Sequence, residues 1–289
     1  MKEFHEYRSV YTHDELMERL RRIRHVALDM DGTIYMGMSL FDWTQPFLAE
    51  LRELGIGYSF LTNNPSKSID DYLRKLESLG IHATREEMYT TTLATIDYLH
   101  EHHPAARRLF LLGTPSMVAE FEAAGFIPTA DSPDDRPDAV VVAFDMTLCY
   151  DRLCRAAWWI SQGLPYIATN PDLVCPVDFG YLPDCGAICN MIEAAVHRRP
   201  LFLGKPEPAM VRYALQRAGC APQQALVVGD RLYTDIACGR RAGVDTALVL
   251  SGEATMADVQ RSELKPDRIY PSVTELGLAM LLAAPAATA

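Results

Sequence analysis

Asp29 and Asp31 stand two residues apart in the run Asp29-Met30-Asp31-Gly32-Thr33, directly after the apolar stretch Val26-Ala27-Leu28. Three more apolar runs end in polar residues of distinctive kinds. Leu61 precedes Thr62-Asn63-Asn64, Leu203 precedes Gly204-Lys205-Pro206, and Val228 precedes Gly229-Asp230. If these runs are parallel strands of an open sheet, their carboxyl ends gather carboxylates, a hydroxyl and a lysine where such sheets bind ligands. That set suits a phosphate and a divalent cation. Magnesium takes hard oxygen ligands and keeps several waters, so one or two carboxylates plus a substrate phosphate suffice, and Asp29 and Asp230 can supply them. A carboxylate beside the metal can also attack phosphorus, dividing transfer to water into two steps. Asp31, at the turn opened by Gly32, is placed to protonate a leaving oxygen and later to take a proton from water. Thr62 and the neighbouring amides of Asn63 and Asn64 can hydrogen-bond phosphoryl oxygens, and Lys205 can neutralise their charge. Asp235, five residues after Asp230, can hold a metal-bound water or orient Lys205.

Each element also has a plainer reading. Asp29 could close an Asx turn, Lys205 could be a surface lysine, and Asp230 with Asp235 could begin a solvated helix. Four such elements in this order, each after an apolar strand, argue against coincidence.

The elements that must position these residues follow from periodicity. Val26-Ala27-Leu28, Tyr58 to Leu61, Leu201 to Leu203, Ala225 to Val228 and Thr246 to Leu250 are short and nearly continuously apolar, as strands buried on both faces of a parallel sheet are. Helical patterns run from Phe47 to Leu54, Ile69 to Leu79 and Ala209 to Ala218, and each stops at a glycine, Gly55, Gly80 and Gly219. Thr12-His13-Asp14-Glu15 has capping-box form and opens an amphipathic helix through Ile23. Alternating strands and helices predict right-handed crossovers and a doubly wound α/β fold with a mainly parallel, Rossmann-like sheet.

The middle of the chain carries further candidate strands, Leu109 to Leu112, Ala139 to Ala143 and Tyr166 to Ala168, among proline-rich connections at 131–137 and 176–183. The chemically loaded residues fall on either side of this block. The expected organisation is therefore a discontinuous core, 1–89 and 200–289, with an inserted α/β domain at 90–199.

Composition narrows the function. Hydrophobic residues at 49% and charged residues at 22% exclude disordered, collagenous and coiled-coil classes. A net charge of −11 repels polyphosphate backbones and excludes nucleic acid as the main partner, and a small anionic substrate then needs local cations or helix N-termini. Residues 1–8 lack the apolar core of a secretory signal. The apolar end, Leu276 to Ala289, is too short and alanine-rich to span a bilayer and reads as a final helix with a frayed tail. Seven cysteines without a Cys-x-x-Cys pair predict reduced thiols and a cytoplasmic location. His100-Glu101-His102-His103 lacks His-x-x-x-His spacing and reads as a solvated helix end, and no P-loop run is present.

The motifs Asp29-Met30-Asp31-Gly32-Thr33-Ile34-Tyr35, Leu61-Thr62-Asn63-Asn64, Gly204-Lys205-Pro206 and Gly229-Asp230-Arg231-Leu232-Tyr233-Thr234-Asp235-Ile236 resemble the four motifs of the haloacid dehalogenase-like hydrolase superfamily. They are most similar to its NagD or 4-nitrophenylphosphatase-like branch. Ala168-Thr169-Asn170-Pro171-Asp172 and Gly186-Ala187-Ile188 resemble segments of that branch's large cap domain, inserted between the second and third motifs.

The resemblance implies Asp29 as nucleophile and metal ligand, passing through an aspartyl phosphate. It implies Asp31 as general acid/base that also gives a backbone carbonyl to the metal, and Asp230 as a third ligand. Thr62 and Lys205 would bind the phosphoryl group, with Asp235 in support and Mg2+ as cofactor. Asp31 separates phosphatases and mutases from dehalogenase members, which lack this acid. Pro183-Asp184-Cys185-Gly186-Ala187 departs from the family's common Pro-Gly-x-Gly-Ala, so a different turn is expected there.

Asn170 and Asp172 are candidates for reading the substrate, with a structural Asx-Pro turn as the alternative. Adjacent Trp158 and Trp159 on one helix cannot both face a ligand, so at least one belongs to the core. The expected function is Mg-dependent hydrolysis of a small phosphate monoester: a nucleotide, a sugar phosphate, phosphoglycolate or pyridoxal phosphate. Phosphotransfer of the mutase kind is the alternative on the same site, disfavoured by the large cap. A non-catalytic binding protein is disfavoured by the intact Asp29, Asp31, Thr62, Lys205 and Asp230. The expected partners are the phosphate ester and a second copy of the chain meeting through the cap, with no membrane.

Overall fold

A computed structural model describes residues 9–177 and 180–284 of the 289. Residues 1–8, residues 285–289 of the apolar end and two residues of the 176–183 connection lie outside the described residues. The chain divides into two compact units. One gathers the residues up to Leu61, Lys75–Met88 and those from Pro206 onward; the other comprises Thr62–Arg74 and Tyr89–Lys205.

The sheet of the first unit has six strands in the order Arg268–Tyr270, Asp245–Val249, Ala225–Gly229, His25–Asp29, Gly57–Thr62 and Met88–Thr90. The His25–Asp29 strand pairs in parallel with both neighbours, Leu28 opposite Val228 and Asp29 opposite Leu61. Val26, Ala27 and Leu28 on one strand and Leu226, Val227 and Val228 on the next are fully buried, which is why these runs are apolar at every position. The predicted doubly wound α/β core is what the chain forms.

Helices His13–Arg22, Thr44–Glu53, Ala209–Arg217 and Val273–Ala283 belong to this unit. Thr12 and Glu15 make both bonds of the predicted capping box. Gly55, at φ +67° after Thr44–Glu53, takes the left-handed conformation that stops a helix and that a side chain would resist.

The sheet of the second unit runs in the order Leu201–Phe202, Tyr166–Ala168, Ala139–Val142, Arg108–Leu112 and Ile127–Pro128, all parallel. An antiparallel hairpin pairs Val174–Val177 with Gly180–Pro183. Phe110, Val142, Trp159, Ile160 and Ile188 form the core. Trp159 is 2% exposed and Trp158 39%, so one tryptophan of the pair is core, as their adjacency requires.

One strand differs from expectation. Leu201 to Leu203 was expected to be buried on both faces in the sheet that carries Asp29. It forms instead the edge strand Leu201–Phe202 of the second sheet, against Tyr166–Ala168, and Leu201 is 45% exposed. A two-residue edge strand needs apolar residues on one side only, and in sequence it looks the same as the end of a central strand. All seven cysteines are free thiols. No helix among the described residues is long and apolar enough to cross a membrane.

Candidate active site

In the first unit, the His25–Asp29 strand ends in Asp29 and the chain turns at once. Thr33 and Ile34 donate backbone N–H bonds to Met30 O at 3.2 and 2.9 Å, and Gly32, at φ +85°, donates to Tyr35 O at 2.7 Å. Ser251 Oγ donates to Gly32 O at 2.7 Å, tying the turn to the segment that follows the Asp245–Val249 strand, next but one in the sheet. Asp29 is half-buried and Asp31 exposed, so the tight turn leaves the second carboxylate facing outward from the strand tip.

Asp230 follows the Ala225–Gly229 strand, and Asp235 sits in the single π-helical turn Leu232–Ile236 that opens the next helix. Carboxylate oxygens of Asp29, Asp230 and Asp235 all lie within 4.8 Å of one another. Asp230 Oδ2 accepts the backbone N–H of Glu253 at 2.7 Å. Asp235 Oδ2 accepts from the Arg231 N–H and from Thr234 Oγ1, both at 3.2 Å. Asp230 and Asp235 are 2% and 1% exposed.

Glycine backbones cradle this cluster. A Cβ on Gly252 would stand 2.0 Å from Asp230 Oδ2, one on Gly32 2.3 Å from the same oxygen, and one on Gly229 2.3 Å from Asp235 Cγ. Three carboxylates so close, two of them buried, repel one another unless a cation intervenes, and an all-oxygen donor set suits a hard divalent ion. The residues therefore fit a divalent metal.

Arg231 and Glu253 complete the electrostatics of this unit. Burial works against the Arg231 guanidinium, but the carboxylates of Asp230 and Asp29 more than offset it and hold the charge firmly in place. Arg231 Nε lies 2.9 Å from Glu253 Oε2, and Tyr233 Oη donates to Glu253 Oε1 at 2.7 Å. Sequence reasoning passed over Arg231, Gly252 and Glu253. Arg231 lies within the Gly229 to Ile236 motif with no local mark of a role, and nothing local marks the 251–253 turn as touching Asp230.

In the second unit, the remaining site residues come together. Asn64 N–H donates to Thr62 Oγ1 at 3.3 Å, and Asn64 Oδ1 accepts from Ser66 N–H at 2.9 Å, an Asx turn directly after the strand. Tyr72 Oη donates to Asn64 O at 3.0 Å, and burial keeps that hydroxyl protonated. Asn63 grips Lys205 at two points: Lys205 N–H donates to Asn63 Oδ1, and Asn63 Nδ2 donates to Lys205 O, both at 2.8 Å. Lys205 is only 3% exposed. The side chain of Asn63 is thus spent on protein groups.

A doubly wound core whose strand tips carry an Asp-x-Asp turn and a metal-fitting aspartate cluster defines a phosphoryl-transfer hydrolase of the haloacid dehalogenase class. Family models agree: the one described as haloacid dehalogenase-like hydrolase matches residues 26–127, and the HAD-hydrolase-like one matches residues 202–276. The chain is 33% identical to the acid sugar phosphatase of Staphylococcus aureus over 256 residues, covering 89% of this chain and 97% of that protein. It is 33% identical to the ribonucleotide monophosphatase NagD of Escherichia coli over 254 residues, covering 88% and 98%. The crystal structure of a 4-nitrophenylphosphatase from Thermotoga maritima superposes with a TM-score of 0.85 at 39% identity, covering 91% of this chain and 99% of that one. The chain belongs to the haloacid dehalogenase-like hydrolases, in the NagD and 4-nitrophenylphosphatase-like branch, and is a phosphatase.

Proposed function

We propose that the chain hydrolyses small phosphate monoesters through a phosphorylated Asp29, with magnesium as its metal. The observation that carries this reading is the carboxylate trio of Asp29, Asp230 and Asp235 beneath Gly32 and Gly252, beside an Asp31 left exposed at the strand tip. Asp29 and Asp230, with the backbone carbonyl of Asp31, would hold the ion. When bound, it neutralises charge on the phosphoryl oxygens and on the carboxylates that surround them.

In the first step, a carboxylate oxygen of Asp29 bonds to phosphorus as the ester P–O bond breaks, and Asp31 gives its proton to the departing oxygen. In the second, Asp31 takes a proton from water, the resulting hydroxide bonds to the same phosphorus, and the bond to Asp29 breaks. Inorganic phosphate leaves and both aspartates return to their starting states. Thr62 and the amides of Asn63 and Asn64 hydrogen-bond the transferring group, and Lys205 balances its charge. Residues 90–199 act as a cap that excludes solvent.

The names of the relatives support sugar phosphates and ribonucleotide monophosphates as candidate substrates, and 4-nitrophenyl phosphate serves as the chromogenic probe. The test is steady-state hydrolysis of 4-nitrophenyl phosphate with magnesium, for the wild type and for Asp29→Asn. Metal-dependent phosphate release that disappears in the variant is expected. Undiminished turnover in Asp29→Asn would overturn the mechanism.

A further inference from the structure

Asn63 and Asp172 are 109 positions apart in sequence and meet within the second unit, Asn63 Nδ2 donating to Asp172 Oδ2 at 2.8 Å. The same carboxylate oxygen accepts from Asn170 Nδ2 at 2.8 Å, and Asn170 Nδ2 also donates to Asp184 Oδ1 at 3.1 Å. Asn170 Oδ1 accepts from Thr169 Oγ1 at 2.8 Å, so its carboxamide is committed at both ends, and it is 0% exposed. Asp184 caps the helix Cys185–Val196 by accepting the Cys185 N–H at 2.5 Å. An unbroken polar chain therefore runs from a helix N-terminus through Asp184, Asn170, Asp172 and Asn63 to both backbone groups of Lys205.

The backbone around the chain leaves no slack. The Asp172 carbonyl accepts from Gly186 N–H at 2.8 Å, and a Cβ on Gly186 would fall 2.2 Å from Pro171 O. A Cβ on Gly204 would fall 2.7 Å from Thr169 O and 2.9 Å from Asn63 Oδ1. From sequence, Asn170 and Asp172 are candidates for reading the substrate. A fully committed, fully buried carboxamide cannot read a ligand, and the Asp172 oxygen that accepts twice is spent on positioning Asn63.

We propose that Asp172 is a positioning residue that sets Lys205 through Asn63, with Asn170 and Asp184 as its anchor. The kinetic part rests on the assignment of Lys205 to the phosphoryl group under the proposed function. Truncating Asp172 releases Asn63 Nδ2 from a charged acceptor, and a small displacement of a charge-bearing group is costly to turnover.

The experiment has two arms. Amide hydrogen exchange in the magnesium-loaded protein follows the Lys205 N–H. Exchange at least tenfold faster in Asp172→Ala, near wild-type in Asp172→Asn, is expected, and unchanged protection in Asp172→Ala would overturn the proposal whether or not the protein turns over phosphate esters. In the kinetic arm, Asp172→Ala should lower kcat/KM about 10- to 100-fold, equally for 4-nitrophenyl phosphate and for a sugar phosphate, with Asp172→Asn recovering most of it.

Asn63→Ala and the double variant Asn63→Ala/Asp172→Ala close a cycle in which the double should be no worse than Asn63→Ala alone. Losses that multiply, or that follow the leaving group, would overturn the positioning role and return Asp172 to substrate reading. A wild type that releases no phosphate would instead sink the proposed function while leaving the exchange result to stand.

Discussion

Gly252 presses so closely on Asp230 that a single added methyl group would lie 2.0 Å from Oδ2, the oxygen that also accepts the Glu253 N–H. Its φ is not in the left-handed region, so alanine there is unstrained in the backbone and acts purely by occupying space. Gly252→Ala should therefore displace the Asp230 carboxylate while leaving the sheet intact. A tenfold or greater rise in the magnesium concentration for half-maximal activity is expected, with a small change in Tm. A magnesium titration indistinguishable from wild type would show that Asp230 is not a ligand.

Asp31 and Asp29 should separate by what they lose. The proposed role gives Asp31 a proton to move but only a backbone carbonyl to the metal, so Asp31→Asn should cut turnover by about 10²- to 10⁴-fold. Its magnesium-induced rise in Tm should match that of the wild type. If the metal-induced stabilisation vanished with the side chain, Asp31 would have to be a ligand through its carboxylate.

Acid should affect the two units in opposite senses. His25, in the first unit, is held down from 6.5 to about 4 by burial, with Nε2 2.9 Å from Ser59 Oγ. The unfolded chain takes up that proton below 6.5 while the fold does not. The His25 contribution is therefore complete above pH 6.5 and is lost as pH falls through 4, about 3 kcal/mol in all. Asp184, in the second unit, is pushed up from 3.8 to about 6, chiefly by burial. Its contribution is complete below pH 3.8 and lost as pH rises through 6, again by about 3 kcal/mol.

Asp184→Asn keeps a good helix N-cap and mimics the protonated acid. It should raise Tm at pH 7.5 and leave it unchanged at pH 4. His25→Asn should flatten the acid side of the profile. Thermal unfolding of the three proteins between pH 4 and 7.5 checks both, and a lower Tm for Asp184→Asn at pH 7.5 would refute the burial argument.

Asp29, Thr62 and Asp230 were legible because each ends a strand buried on both faces, and an apolar run that stops at a polar residue records that geometry directly. Lys205 was legible as a cation after an apolar run but not in its topology, since Leu201–Phe202 is an edge strand whose apolar residues mimic a central one. The hold of Asn63 on Lys205, its bond to Asp172 and the closeness of Gly252 to Asp230 left no local signal. Each depends on two chain segments far apart in sequence meeting at hydrogen-bond or van der Waals distance, and composition and periodicity carry no record of that.

Arg231 is a cation whose charge the aspartate cluster helps to hold. Its guanidinium is raised by Asp230 and Asp29 against the cost of its own burial and is paired with Glu253 at 2.9 Å. Arg231→Gln removes that charge and strengthens the repulsion among the carboxylates of Asp29, Asp230 and Asp235, which lie within 4.8 Å of one another. The metal-free variant should then melt a few degrees lower than the wild type, the scale set by about 1 kcal/mol in a protein of this size. A divalent ion relieves the same repulsion, so saturating magnesium should raise the variant's Tm by more than it raises the wild type's. Equal increments in the two proteins would mean that Arg231 neutralises Glu253 alone and contributes nothing to the cluster's charge balance.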